Sequence, residues 1–209
     1  AKIHFSNTEV KKGCPYDCGI CPEHRQHTCT ALLEITTDCN IHCPICFADG
    51  GKANKAPTID TIQSWYQMLL DSGGPYNIQL SGGEPTMRDD LPDIIALGRS
   101  MGFSFVQVNT NGLRLYEEPG FLQQLIDAGV ASLFLQFDGV TKDVYNKLRG
   151  ADYLAAKLGL IESCKKMNLA VILVPTVVAG VNDHQLWDII GFALENMPPV
   201  RGVHFQPIS

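Results

Sequence analysis

The 209-residue sequence predicts an α/β fold built from six repeated strand–helix units. Three observations carry this. Apolar-alternating segments recur roughly every thirty residues, the length of one strand–helix–strand unit. Amphipathic stretches with helical spacing separate them, and strict alternation implies parallel strands with helices outside. Cap and breaker residues mark the helix ends. Six such units make three-quarters of a (β/α)8 barrel, so the expected architecture is a partial (β/α)6 barrel of TIM type.

In chain order, residues 1–30 read as a small cysteine-rich extension and 31–209 as the barrel. The expected strands are Leu32–Thr36, Asn77–Ser81, Phe105–Thr110, Leu133–Asp138, Val171–Val177 and Val203–Pro207. Ile62, Trp65, Tyr66, Leu69 and Leu70 recur at helical spacing after the first strand, and Leu91, Ile94 and Ile95 after the second. Leu122, Leu125 and Ile126 mark a third helix, stopped at Ala128-Gly129. Within Tyr153–Asn168, Leu154, Leu158, Ile161 and Lys165 fall in step. Asn182-Asp183 opens a last helix through Leu186, Ile189, Ile190 and Leu194, broken by Pro198-Pro199. The chain lacks an initiator Met and ends on an expected strand, which points to a piece of a longer protein.

Composition is globular, with 45% hydrophobic and 18% charged residues. A net charge of −6 argues against a broad nucleic-acid footprint. The longest apolar run, Ala170 to Val178, is far short of the ~20 residues a membrane span needs. A soluble, cytoplasmic protein is expected. Seven of the eight cysteines crowd between Cys14 and Cys46, which suits metal ligation in a reducing compartment better than a disulfide framework. Cys164, alone on a helix, reads as core packing.

Alternate strand residues share a face. One face is aliphatic: Leu33, Ile78, Leu80, Val106, Val108, Leu133 and Leu135 among others. The other carries Glu34, Gln79, Ser81, Gln107, Asn109, Gln136, His204 and Gln206, where a closed TIM barrel would place Val, Ile and Leu. Buried polar groups need partners, so the lumen is expected to be wet or to hold a ligand. Asn77 and Glu34, read as lying deeper, are expected to bond within the protein.

Function in parallel α/β folds gathers at the carboxyl ends of strands. After the first strand, Cys39, Cys43 and Cys46 stand at C-x3-C-x2-C spacing, followed by Phe47. Three thiolates hold three corners of a cubane [4Fe-4S] cluster and leave one iron open to a small molecule. A zinc knuckle completed by His42 is the competing reading. The same spacing recurs at Cys14, Cys18 and Cys21, with Cys29 as a fourth thiolate. That set suits a closed second cluster, or a structural zinc drawing also on His24 and His27. After the second strand comes Ser81-Gly82-Gly83-Glu84-Pro85-Thr86; the glycines admit close backbone approach to a ligand, and Glu84 can bond an ammonium group. Later strand ends carry Asn109-Thr110-Asn111-Gly112, Gln136-Phe137-Asp138-Gly139 with Leu148-Arg149-Gly150, and Pro175-Thr176.

In order and position these motifs resemble the radical S-adenosylmethionine (SAM) superfamily, from the Cys39 loop onward. The resemblance implies that Cys39, Cys43 and Cys46 ligate the cluster and that SAM chelates its open iron. It implies adenine contact by Phe47, and Gly82, Gly83 and Glu84 facing the methionyl amino group. Asn111, Gln136 and Asp138 would lie near ribose or sulfonium, and Arg149 would neutralise the carboxylate, with Thr176 nearby. Read without the family, Arg149 is a surface ion pair. Many family members carry Ser where Gln136 stands. The implied chemistry is reductive cleavage of SAM to a 5′-deoxyadenosyl radical that abstracts hydrogen from an unactivated C–H.

The run from Gly13 to Cys29, leading directly into Ala31–Phe47, resembles more narrowly a group that includes tetraether lipid synthase and proposed pterin methylases. That likeness implies a transferase with an auxiliary [4Fe-4S] cluster, forming C–C bonds on a lipid or pterin-like small molecule. A low-potential donor of ferredoxin or flavodoxin type would supply electrons, and a lipid substrate would bring the protein to a membrane surface. A radical SAM peptide maturase is an alternative, as is a non-catalytic zinc scaffold or electron carrier. A scaffold has no use for the Gly82-Gly83-Glu84 and Arg149 constellation.

Overall fold

The computed structural model describes residues 29–46 and 56–208. Cys14, Cys18, Cys21 and Phe47 lie outside them, as does nearly all of the expected 1–30 extension.

Six strands form one parallel sheet: β1 (Thr30–Thr36), β2 (Asn77–Gly82), β3 (Val106–Thr110), β4 (Ser132–Gln136), β5 (Ala170–Val174) and β7 (Val200–Val203). They pair in chain order, β1-β2-β3-β4-β5-β7. Two short strands, β6 (Thr176–Val178) and β8 (Gln206–Ile208), pair in parallel just beyond the ends of β5 and β7. Among the described residues β1 and β7 gain no second neighbour, so the barrel is open, as the six-unit reading expects.

The register explains the core. Leu33, Leu80, Val108, Leu133, Val171 and Val200 are successive partners in one row across all six strands. From Leu80 to Val200 that row is buried, and it joins the apolar faces of the helices in one cluster. Those helices are α1 (Ile59–Asp71), α2 (Leu91–Ser100), α3 (Leu113–Glu117), α4 (Pro119–Asp127), α5 (Lys142–Arg149), α6 (Leu154–Lys166) and α7 (Leu186–Glu195). Thr58 caps α1, its hydroxyl oxygen accepting from the Thr61 amide at 3.2 Å.

Four expectations need correction. The fifth strand does not run unbroken from Val171 to Val177; Pro175, with no N–H to give the ladder, divides it into β5 and β6. The sixth begins three residues earlier than Val203 and is likewise divided. Helices α3 and α5 were not expected: α3 has only five residues, while the stripe Val144, Tyr145 and Leu148 of α5 was present in the sequence and passed over. On α6 the buried stripe is Lys157, Leu160, Ile161 and Cys164, while Leu158 is 38% exposed. The expected stripe was therefore rotated about the helix, because a lysine occupies one of the core positions.

Candidate active site

A cleft of about 550 Å³ opens at the carboxyl ends of the strands and continues down their polar face. Cys39, Cys43 and Cys46 line it, together with Gly82, Gly83 and Glu84. Asn111, Gln136, Arg149 and Thr176 also reach it. Asp138 does not; it is fully buried and meets the cleft only through the side chains it binds. Apart from Phe47, then, the expected site residues of the barrel converge.

Their partners are unexpected, because much of this constellation grips the cysteine loop itself. The Glu84 amide donates to the Asp38 carbonyl at 2.7 Å. The Asn111 side-chain amide donates to Asn40 Oδ1 at 2.7 Å. Arg149 Nη1 donates to the Ile45 carbonyl at 2.9 Å. Three strand ends thus hold the loop at three points along its length. Thr36 closes its start, its hydroxyl oxygen accepting from the Asp38 amide at 3.1 Å.

The glycines serve the same contact. A Cβ on Gly82 would lie 2.0 Å from the Thr36 carbonyl oxygen, and one on Gly83 would lie 2.4 Å from that of Asp38. Gly82 also has φ +138°, a conformation that disfavours any side chain. The close approach these residues permit is to the root of the cysteine loop.

Glu84 is 1% exposed and needs partners for a buried charge. Its Oε1 accepts from the Thr86 amide at 3.0 Å, the Thr86 hydroxyl at 2.6 Å and the Thr110 hydroxyl at 2.7 Å. Its Oε2 accepts from the Asn111 amide alone, at 2.6 Å, and so retains room for one more donor.

Asp138 and Arg149 form a buried bidentate pair, Nε to Oδ2 at 2.8 Å and Nη2 to Oδ1 at 2.7 Å. Arg149 Nη2 also donates to the Thr176 hydroxyl at 2.8 Å, and the Thr176 amide donates to Asp138 Oδ1 at 3.1 Å. Gln136 Nε2 donates to Asp138 Oδ2. Burial alone would lower the Arg149 pKa; the Asp138 carboxylate, with the Cys43 thiol nearby, reverses that and raises it. Arg149 is therefore no surface ion pair, and one donor at most is left for a ligand.

Lys157, which the sequence reading passed over, reaches in from α6 and is 1% exposed. Its ammonium donates to the Asn111 carbonyl and, at 3.0 Å, to Gln136 Oε1. Burial lowers its pKa to about 8, against the pull of Asp138 and Glu84. A charged residue at a helix position where the stripe wants an apolar one was the available signal.

The donor set can be weighed by its chemistry. Three soft thiols suit an iron–sulfur cluster. Among the described residues no three Cys, His, Asp or Glu side chains converge closely enough to hold a single metal ion, and Cys46, like His42, is exposed. Burial raises the Cys39 pKa, with Glu84, Cys43 and Cys46 adding to it against a backbone N–H at Ile41. Ligation would displace that proton. Cys29 lies apart. Its carbonyl accepts from the Asn77 amide at 3.2 Å, at the opposite end of β1 from the cysteine loop. No described helix is long and apolar enough to cross a membrane.

The radical SAM superfamily model matches residues 33–193. The chain is 46% identical over 212 residues to the 7,8-dihydro-6-hydroxymethylpterin dimethyltransferase of Methanocaldococcus jannaschii, covering 100% of this chain and 42% of that protein. It is 30% identical over 174 residues to a probable GTP 3′,8-cyclase of Methanothermobacter thermautotrophicus, covering 82% of this chain and 56% of the other. The chain thus spans about half the length of these curated relatives. In fold it resembles Streptococcus suis SuiB bound to its precursor peptide SuiA, with a TM-score of 0.73 at 14% identity over 87% of this chain and 39% of that one. It also resembles anSMEcpe with bound AdoMet and a peptide, at 0.67 and 19%, over 85% of this chain and 51% of that one. With the family match extending from β1 to α7, through every strand end that grips the cysteine loop, the chain belongs to the radical SAM superfamily.

Proposed function

We propose that this radical SAM enzyme forms a carbon–carbon bond on a pterin-type substrate, by methylation, with a second molecule of SAM as the methyl donor and dithionite as the source of electrons in the assay. The observation that carries the site assignment is the meeting of three thiols and the open acceptor of Glu84 in one cleft. The substrate class draws support from the two relatives, whose named substrates, a pterin and GTP, share a fused 2-amino-4-oxopyrimidine ring.

In this reading Cys39, Cys43 and Cys46 hold a [4Fe-4S] cluster and SAM binds beside it. When bound, the pair supplies one-electron cleavage of a carbon–sulfur bond and thereby the means to open an unactivated C–H. The chain's own part is positioning. Asn111, Arg149 and the Glu84 amide fix the cysteine loop, so that its thiols keep their spacing. Glu84 Oε2 receives the methionyl ammonium. The one N–H that Arg149 has to spare would meet the methionyl carboxylate, while Gln136 and Asp138 steady the wall from behind. Phe47 contacts adenine. Residues 1–30 form a separate segment in which Cys14, Cys18, Cys21 and Cys29 hold a second cluster, and a low-potential ferredoxin or flavodoxin supplies electrons.

The test is anaerobic reconstitution with iron and sulfide, then incubation with SAM, dithionite and 6-hydroxymethyl-7,8-dihydropterin. Mass spectrometry should find 5′-deoxyadenosine and a methylated pterin. Formation of 5′-deoxyadenosine while the pterin returns unchanged would overturn the substrate reading. Its persistence after Cys39, Cys43 and Cys46 are all replaced by Ala would overturn the site assignment.

A further inference from the structure

Below the cysteine loop one row of side chains runs across the polar face of the sheet from β1 to β4. Glu34 on β1 is the register partner of Ser81 on β2. The Ser81 hydroxyl oxygen accepts from Asn109 Nδ2 on β3 at 3.2 Å. Asn109 is in turn the register partner of Phe134 on β4. The Phe134 ring lies against His204, with centroids 5.3 Å apart and planes tilted by 54°. All five side chains line the cleft. From one end to the other the row reads carboxylate, hydroxyl, amide, aromatic ring.

Two acceptors in this row have no partner among the described residues, one exposed and one buried. Asn109 Oδ1 is buried and has no hydrogen-bond partner. Among the described residues Glu34 has neither a hydrogen bond nor an ion pair, which corrects the expectation that it bonds within the protein. Each neighbouring amide spends one N–H within the row and keeps a second: Gln79 Nε2 bonds Gln107 at 3.3 Å, Gln107 Nε2 bonds Ser132 at 2.8 Å, and Asn109 Nδ2 bonds Ser81. A polar ligand seated here can therefore give donors to Glu34 and acceptors to these amides. An alkyl chain would strip water from the Glu34 carboxylate and return nothing, which is unfavourable.

We propose that this row is the substrate floor and that Glu34 is its specificity-determining residue. The occupant is a planar nitrogen heterocycle whose adjacent ring N–H and amino group face the Glu34 carboxylate. A carboxylate is the bidentate acceptor that such an edge matches. The ring packs on Phe134 and His204 in offset or edge-to-face contact. Successive lumen rows are about 7 Å apart along a strand, so the heterocycle lies directly under the cysteine loop. The inference rests on the pterin reading above and names how that ring is recognised.

The experiment measures binding of two pteridines to the anaerobically reconstituted protein with SAM present. Pterin carries an amino group where lumazine carries a carbonyl oxygen. The unaltered protein should prefer pterin about tenfold or more, the scale of one well-matched buried hydrogen bond. Glu34→Gln should reduce that preference to less than about threefold, because one of the two acceptor positions becomes a donor. Phe134→Leu should weaken both pteridines alike. A pterin preference unchanged in Glu34→Gln overturns the inference and leaves the pterin reading standing. Failure of the unaltered protein to bind either pteridine overturns both. Glu34 is exposed to the cleft, so the variant's fold is not at issue.

Discussion

Glu84 and Asp138 terminate neighbouring parts of the same sheet and look alike by burial, at 1% and 0% exposure. Each accepts four hydrogen bonds. Their donors differ. Asp138 is held by a guanidinium, so its charge is neutralised inside the protein. Glu84 is held by two amides and two hydroxyls, all neutral. Lys157 feels the charge of both carboxylates but bonds neither. One carboxylate is thus a closed structural pair. The other is a preorganised negative charge that a cationic ligand can complete.

The largest expected effect breaks the closed pair. Asp138→Asn leaves Arg149 buried without its anion and should cost about 3–5 kcal/mol in urea unfolding. Replacing both by apolar residues, as in Asp138→Leu with Arg149→Met, should cost less than the sum of the single changes. Additive losses would show that the pair is not coupled. Glu84→Gln orphans no cation, so its cost should be smaller, about 1–3 kcal/mol from donors left facing an amide group. Equal losses for Asp138→Asn and Glu84→Gln would erase the distinction drawn here.

Gly83→Ala probes what both carboxylates serve. Its Cβ would sit 2.4 Å from the Asp38 oxygen, so the loop must shift, at about 1–3 kcal/mol. Iron retained per chain after desalting should fall while the circular dichroism of the barrel persists. Lys157 is read as a slope above neutral pH. Its folded pKa of about 8 lies below the unfolded value near 10.4. Between these limits the unfolded chain binds more protons, so stability should rise with pH across that window. Lys157→Met should flatten that rise in a series of urea midpoints.

The sequence showed the barrel because period-two strands and period-3.6 helices repeat locally, and it showed the cysteine loop and Gly82-Gly83-Glu84 because their spacing is contiguous. It hid what those residues hold. Asn111 meets Asn40 across 71 positions, and Arg149 meets Ile45 across 104. No local pattern encodes such pairs. The glycines illustrate the limit: their type was legible, but the neighbour that demands it, the Thr36–Asp38 backbone, belongs to another strand end. Lys157 was hidden for the opposite reason. Its periodic position marks a core residue, and its charge argued it off that face, until Asn111 and Gln136 supplied the acceptors a buried ammonium requires.

The distinction between the two carboxylates is tested most directly by the dissociation constant of SAM from the cluster-loaded protein, measured for the unaltered chain and for Glu84→Gln. The expected result is weakening by about tenfold or more, the equivalent of about 1.4 kcal/mol, in a variant that remains folded and keeps its iron. An unchanged constant would contradict it, because the open acceptor of Glu84 would then have no part in holding the cationic end of the ligand.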